Sequence, residues 1–193
     1  MDQKASALFE GIFSISPEIK AKMSIIDAVD RPLGSLTINS ICAKCGISRQ
    51  TFYNHFSHKY EMAFWYSHFC QSFYLDQIGK KYRCLNGYEG HFQMMKEKKE
   101  LFIFSASNKT SPQHKTRACR DRIETLTFTL MEYHGTVIDE LMHFAIDSFC
   151  FLETELIHQW IASNMAKSSK RFAEEIVYVM PQELKKKLDT LPM

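Results

Sequence analysis

The sequence is poor in the residues that interrupt regular structure. Its 193 residues include only seven glycines and five prolines. Because these residues punctuate turns, their scarcity disfavours a fold of many short strands and favours long helices. Hydrophobic residues make up 45% of the chain, so a protein of this length can bury a sizeable core. The composition predicts an all-α protein.

Long apolar runs are also missing. No stretch approaches the roughly 20 apolar residues that a membrane-spanning helix needs, and the first residues lack the basic start and apolar segment of a secretory signal. We therefore expect no membrane association. Six cysteines are spread along the chain. With no sign of secretion, they predict free thiols in a reducing, cytoplasmic location.

Acidic residues are absent from one segment of the chain. From Arg31 to Tyr60 the sequence contains four basic residues and no Asp or Glu, although the net charge of the whole chain is only +2. Such a segment suits contact with a polyanion, because carboxylates near a phosphate would be repelled. Chance clustering of charges is the alternative that this pattern alone leaves open.

Capping residues and apolar spacing divide the chain into about nine helices before a short tail helix that opens at Pro181. Residues 1–16 are ambiguous between a short amphipathic helix and an arm. The predicted helices cover approximately residues 17–30, 38–45, 49–56, 58–82, 88–98, 99–106, 112–135, 137–165 and 169–180.

Two of these segments form a helix-turn-helix pattern. Thr37 is a suitable N-cap for the first helix, and Gly46 ends it where a left-handed backbone is needed. Ser48 caps the second helix, in which Phe52 and Phe56 are spaced to pack back on the first. Two short helices joined by about three residues with a glycine in the turn are typical of DNA-binding proteins.

The second helix of this pair keeps an unusual set of polar side chains for its remaining faces. They offer hydrogen-bond donors and acceptors, one permanent cation and no carboxylate. Such a set suits a helix in the major groove, where Arg reads guanine and Gln or Asn reads adenine. The side chains are those of Arg49, Gln50, Thr51, Tyr53, Asn54 and His55.

The segment TINSICAKCGISRQTFYNHFSHK, residues 37–59, resembles the DNA-binding region of the tetracycline-repressor (TetR) family of bacterial regulators. The family pattern is matched at Thr37, Ile38, Ile41, Gly46, Ile47, Ser48, Thr51, Phe52, Tyr53, His55, Phe56 and Lys59. Two departures are a short loop at residues 31–36 without the usual aromatic-Gly pair, and cysteines at positions 42 and 45. The resemblance implies a transcription regulator and not an enzyme.

The resemblance also implies roles for individual residues. Thr37 and the amides at the start of its helix would hold a backbone phosphate. Tyr53 and His55 would touch phosphates or base edges, and Lys59 would contact a phosphate. The residues that face the groove would be Ser48, Arg49, Gln50, Thr51 and Asn54.

By the same resemblance, residues 1–60 would form the DNA-binding domain, with residues 1–16 as an extra arm or helix. Residues 61–193 would bind an effector and dimerise. The candidate effector pocket consists of Phe64, Trp65, His68, Phe69, Phe73, Phe92, Met95, Phe102, Phe128 and Met131. The candidate dimer anchors are Phe149, Leu152, Leu156, Trp160, Phe172 and Ile176. Two operator half-sites one helical turn apart require two recognition helices, which a single chain does not supply.

The functional expectation is a homodimeric repressor that binds double-stranded operator DNA and is released by a small-molecule effector. The alternative is a TetR-like activator or co-regulator controlled by a protein partner, with no true ligand cavity. The C-terminal stretch, residues 155–188, is similar to regulators grouped with that of the dihydroxyacetone kinase genes, some of which have a protein partner.

Cofactor and metal chemistry find little support in the sequence. Cys42 and Cys45 have the spacing of half a zinc site, but a structural zinc site needs a second ligand pair. Positions i and i+3 on one helix face explain both cysteines as core residues. We therefore expect no cofactor and no metal.

Overall fold

The computed structural model describes residues 16–103 and 112–192 of the chain. Regular structure in these ranges is helical, without a β-strand, and an isolated bridge joins Ile78 and Tyr82. The all-α prediction is confirmed. None of the helices described is both long enough and apolar enough to cross a membrane.

Ten helices lie in the described residues. They are α1 (Pro17–Asp27), α2 (Ile38–Cys45), α3 (Arg49–His55), α4 (Glu61–Phe73), α5 (Cys84–Glu97), α6 (Lys99–Phe102), α7 (Pro112–His134), α8 (Glu140–Ala162), α9 (Ser169–Val179) and α10 (Gln182–Leu188). Short 3-10 turns at Leu33–Ser35 and Leu75–Gln77 lie between α1 and α2 and between α4 and α5.

The long aromatic helix predicted from about residue 58 to residue 82 is shorter at both ends. At its start, the spacing and cap of Ser57 predict a helix from residue 58, but the Ser57 amide and hydroxyl both donate to the Glu61 carboxylate, at 2.6 and 2.7 Å, and α4 begins at Glu61. At the other end the backbone leaves the helical region at Tyr74. A tight turn follows, in which Gly79 has a φ of 78°.

The chain forms two compact units. Of the described residues, the first contains 16–65 together with 100–103, and the second contains 66–99 together with 112–192. In the first unit, α1, α2 and α3 enclose fully buried side chains, among them Ile26, Leu33, Ile41, Phe52 and Phe56. The predicted domain division at residue 60 stays a prediction.

The core of the second unit is built around stacked aromatic rings. The Trp160 ring of α8 stacks on the Phe172 ring of α9 with centroids 4.9 Å apart, and Phe92 of α5 lies 4.6 Å from Phe172. Ile176 and Phe149 are also buried in this unit. These positions correct the predicted dimer surface, since Phe149, Trp160, Phe172 and Ile176 fill the subunit's own core.

A buried ionic cluster crosses the second unit. Arg122 of α7 and Glu153 of α8 are 3% and 2% exposed, and the Arg122 Nε lies 3.2 Å from a Glu153 oxygen. The same guanidinium donates to the Leu75 carbonyl at 3.0 Å and to the Tyr88 hydroxyl at 3.2 Å, and that hydroxyl donates to Glu153. The cluster therefore ties α5, α7, α8 and one 3-10 turn together.

Candidate DNA-binding site

The N-terminus of α2 is closed by a reciprocal capping box. The Ser40 amide donates to the Thr37 hydroxyl, and the Thr37 amide donates to the Ser40 hydroxyl, both at 3.1 Å. Because the box satisfies two of the donors that a helix start leaves open, it fixes where α2 begins. The predicted phosphate contact, Thr37, is exposed at this end.

The turn between α2 and α3 depends on one left-handed residue. Gly46 has φ 67° and ψ 30°, a conformation that side-chain-bearing residues rarely adopt. The Ile47 amide then donates to the Cys42 carbonyl at 3.0 Å, which completes the end of α2. Ser48 starts α3 by accepting from the Thr51 amide at 3.0 Å. The glycine turn and the Ser48 cap thus end α2 and begin α3 at the residues that the sequence predicts.

One face of α3 is fixed by aromatic packing. Phe52 and Phe56 are 0% and 1% exposed, and their ring centroids lie 5.9 Å apart. The Phe56 ring also meets Trp65 of α4 edge-on at 6.3 Å. Burial of these two rings sets the rotation of α3 about its axis, so that Tyr53 and Asn54 face outward.

The outward face of α3 carries polar side chains paired along the helix. The Arg49 guanidinium donates to the Tyr53 hydroxyl at 3.3 Å, and the Gln50 side-chain amide donates to the Asn54 oxygen at 3.2 Å. All four side chains are exposed. Exposed pairs of this kind are weak, so the groups can exchange their partners for base edges or phosphates.

The remaining predicted contacts surround this face. Ser48 is exposed, whereas Thr51 and His55 are half-buried. The nearby carboxylates have cationic partners: Glu18 lies 2.8 Å from Lys22, whose hydrogen bond lowers the Glu18 pKa, and Asp30 lies 2.6 Å from Lys44. Each pairing reduces the negative charge that an approaching polyanion would meet.

Lys59 lies apart from the polar face of α3. Its ammonium donates to the carbonyl oxygens of Leu33, Gly34 and Leu36, at 3.0, 3.1 and 2.6 Å. The predicted phosphate contact therefore has an intramolecular role in this structure. Sequence patterns match the residue type at such a position, but they do not show which way a long side chain turns.

Residues 28–64 match the sequence profile of bacterial regulatory proteins of the tetR family. The segment carries a TetR-type DNA-binding domain. The match includes every residue predicted to contact DNA, from Thr37 to Lys59, and a helical region follows it. It supports a DNA-binding transcriptional regulator. No curated protein matches the chain. The likeness to the dihydroxyacetone kinase regulators stays a prediction.

The residues predicted to line an effector pocket are dispersed. Phe64, Trp65 and Phe102 fall in the first unit and the others in the second. Phe92 and Met95 are fully buried in packed core, while Phe128 and Met131 are 55% and 51% exposed on α7. Phe128 and Met131 stay predictions as pocket residues, and neither lines the cavity described next.

A cavity of about 420 Å³ lies elsewhere in the second unit, between α7 and α8. The Lys115 ammonium lies 2.8 Å from a Glu155 carboxylate oxygen at this cavity. The sequence analysis did not predict this site. The only local signal for it is the helical spacing of the lining residues that α7 supplies. The lining includes Lys115, Cys119, Ile123, Phe151, Thr154 and Glu155, and none of the ten predicted pocket residues.

The two cysteines of α2 contact backbone oxygens. The Cys42 thiol lies 3.8 Å from the Ser48 carbonyl, and the Cys45 thiol lies 3.7 Å from the Ser24 carbonyl. Within residues 16–103 and 112–192, no group of three or more His, Cys, Asp or Glu side chains is placed to hold a metal ion.

Proposed function

We propose that this protein is a homodimeric repressor of transcription in the bacterial cytoplasm that reads operator DNA through α3. The observation that carries the proposal is the orientation of α3. Its two phenylalanines are buried, while Arg49, Gln50, Tyr53 and Asn54 face outward without a carboxylate among them. A helix of this kind fits the major groove, which presents donors and acceptors on its base edges.

The side chains of α3 suggest how bases are read. Arg49 would donate two hydrogen bonds to a guanine, and Gln50 or Asn54 would pair with an adenine. Tyr53, which is 42% exposed, would contact a phosphate. Phosphate contacts fix the position of the helix, whereas base contacts decide which sequence is bound.

Operator binding can be measured by fluorescence anisotropy with DNA that flanks the protein's own gene. Replacing Arg49 by Ala should weaken specific binding by about 1–3 kcal/mol and relax the preference at one base pair. Lys170→Ala is the matched control, since it removes an exposed cation from the second unit. If R49A and Y53A bind every such fragment as the parent protein does, α3 does not read DNA.

Dimer formation is proposed through an apolar stripe on α8 and the residues before it. Val137, Leu141, Phe144 and Phe151 are 84%, 79%, 71% and 71% exposed. Along α8 these residues recur at three- and seven-residue spacing and so share one face. Of the predicted anchors, Leu152 is exposed and Leu156 half-buried beside this stripe. A second copy of α8 would cover it and supply the second recognition helix.

The stripe also keeps the alternative function open. Apolar patches of this kind bind a second copy or a different protein. A regulator controlled by a protein partner would use the same side chains, with Phe144 at the centre, and would be a monomer when isolated. The oligomeric state of the purified chain therefore distinguishes the two.

The effector is proposed to bind in the cavity between α7 and α8. Its volume of about 420 Å³ lies within the usual range for small-molecule sites. Binding there would shift the population of recognition-helix spacings, and a coupling of about 1–3 kcal/mol is typical for such control. Filling the cavity by Ile123→Trp should leave operator binding intact and abolish release by any compound that dissociates the parent complex.

A further inference from the structure

The Lys59 ammonium uses all of its hydrogen-bond donors inside the first unit. An ammonium group has three N–H donors, and its three acceptors are the carbonyl oxygens of Leu33, Gly34 and Leu36. The Lys59 nitrogen also lies 5.0 Å from the centre of the Tyr60 ring. No donor is left for a phosphate oxygen while this arrangement holds.

The acceptors belong to one tight turn. Leu33–Ser35 form a 3-10 turn, and the carbonyls at the end of such a turn carry partial negative charge. Leu33 and Leu36 are 0% and 5% exposed, so their side chains anchor the loop while Lys59 holds its carbonyls. Hydrogen bonds with an ionised donor are stronger than neutral ones.

We propose that Lys59 is a positioning residue for DNA binding, which closes the loop between α1 and α2 instead of binding a phosphate. The inference rests on the proposed function for its DNA readout. Leu36 directly precedes Thr37, the N-cap of α2, and α2 leads through a short turn into α3. The contact of the Lys59 ammonium with the three carbonyls of this loop, called the clamp below, therefore fixes where α2 begins. Because α2 leads into α3, it also fixes the position of the polar face of α3.

The two roles of Lys59 differ in how they depend on salt. A lost phosphate contact reduces the slope of log K against log salt by about 0.9, because one fewer counterion is released. A lost clamp weakens binding by the same factor at every salt concentration and also lowers the Tm of the free protein. The clamp thus predicts that plots of log K against log salt have the same slope for the parent protein and for a variant without the Lys59 ammonium.

The test compares Lys59→Met, which keeps an unbranched side chain but removes the ammonium group, with Lys170→Met as the charge-matched control. We expect K59M to lower the Tm by about 5 °C and the operator affinity by about tenfold, with the parent salt slope. K170M should change neither property. A slope reduced by about 0.9, or an unchanged Tm in K59M, would overturn the proposal.

Lys59→Arg gives a second test if K59M does not fold. Arginine keeps the charge, but its planar fork does not match three converging carbonyls. A clamp therefore predicts reduced Tm and affinity, whereas a phosphate contact predicts that both are retained. If the parent protein binds no duplex DNA, the proposed function fails, and the Tm values alone still decide whether Lys59 closes the loop.

Discussion

Helices α3 and α8 expose faces of opposite polarity. The short helix α3 buries Phe52 and exposes Arg49 and Asn54, whereas the long helix α8 buries Glu153 and exposes Phe144 and Phe151. Each exposed face therefore suits a different partner. The polar face fits a hydrated, charged surface such as DNA, and the apolar face fits another apolar surface. The Glu153 carboxylate, which α8 buries among apolar side chains, is accompanied by the Arg122 cation.

The largest effect is expected from removing that carboxylate. Glu153→Gln leaves the Arg122 cation buried without its counter-charge, and breaking such a pair destabilises a protein by about 3–5 kcal/mol. Urea denaturation followed by circular dichroism measures the change. Glu155→Gln is the control, because the Glu155–Lys115 pair is partly exposed and should contribute less than about 1 kcal/mol. If E153Q and E155Q lose the same free energy of unfolding, the buried carboxylate of α8 contributes no more to stability than the partly exposed one.

A smaller effect is expected when the apolar face becomes charged. Phe144→Asp should weaken the dimer by at least about 2 kcal/mol if this ring is central to the interface, as measured by analytical ultracentrifugation. Tyr178→Asp is the control, because Tyr178 is 89% exposed on α9. A parent chain that sediments as a monomer would favour the protein-partner function, and a dimeric F144D would place the interface elsewhere.

A further effect concerns acid pH and two imidazoles, that of His91, which is buried, and that of His158, which is half-buried. Burial lowers the pKa of His91 to about 3 and that of His158 to about 4, from 6.5. The unfolded chain then binds protons more readily than the folded one, so this contribution to stability is complete above pH 6.5 and is lost as the pH falls.

The free energy of unfolding, obtained from urea denaturation between about pH 6.5 and 4, should decline by at most about 1.4 kcal/mol per pH unit for each histidine. His158→Gln should flatten this decline. Gln159→Ala is the control, since Gln159 is exposed beside His158 and does not titrate. A decline of the same slope in both variants would show that His158 does not contribute.

Local signals explain why the DNA-binding segment could be predicted so well from the sequence. Thr37, Gly46 and Ser48 act on backbone groups within three or four residues, and Phe52 and Phe56 follow the helical period. The end of α4 lacked such a signal, because Tyr74 is neither glycine nor proline. The Ser57–Glu61 contact likewise replaced an ordinary helix cap.

Long-range relations could not be read from the same patterns. An apolar stripe on a helix does not say whether it meets its own subunit or a second copy, and Trp160 and Phe172 proved to meet each other. Glu153 stands in an apolar stretch, but its partner Arg122 is 31 residues away along the chain. The cavity between α7 and α8 also depends on how two distant segments pack.

Gly46 has a consequence for how related chains can vary. A Cβ atom at this position would meet no atom of the described residues within 4 Å, so only the backbone conformation restricts it. Asparagine tolerates that conformation better than other side chains, and it should be the commonest replacement. At Gly90 a Cβ would lie 2.2 Å from the Tyr74 ring. There a substitution would require a smaller residue at position 74, so the two positions should change together.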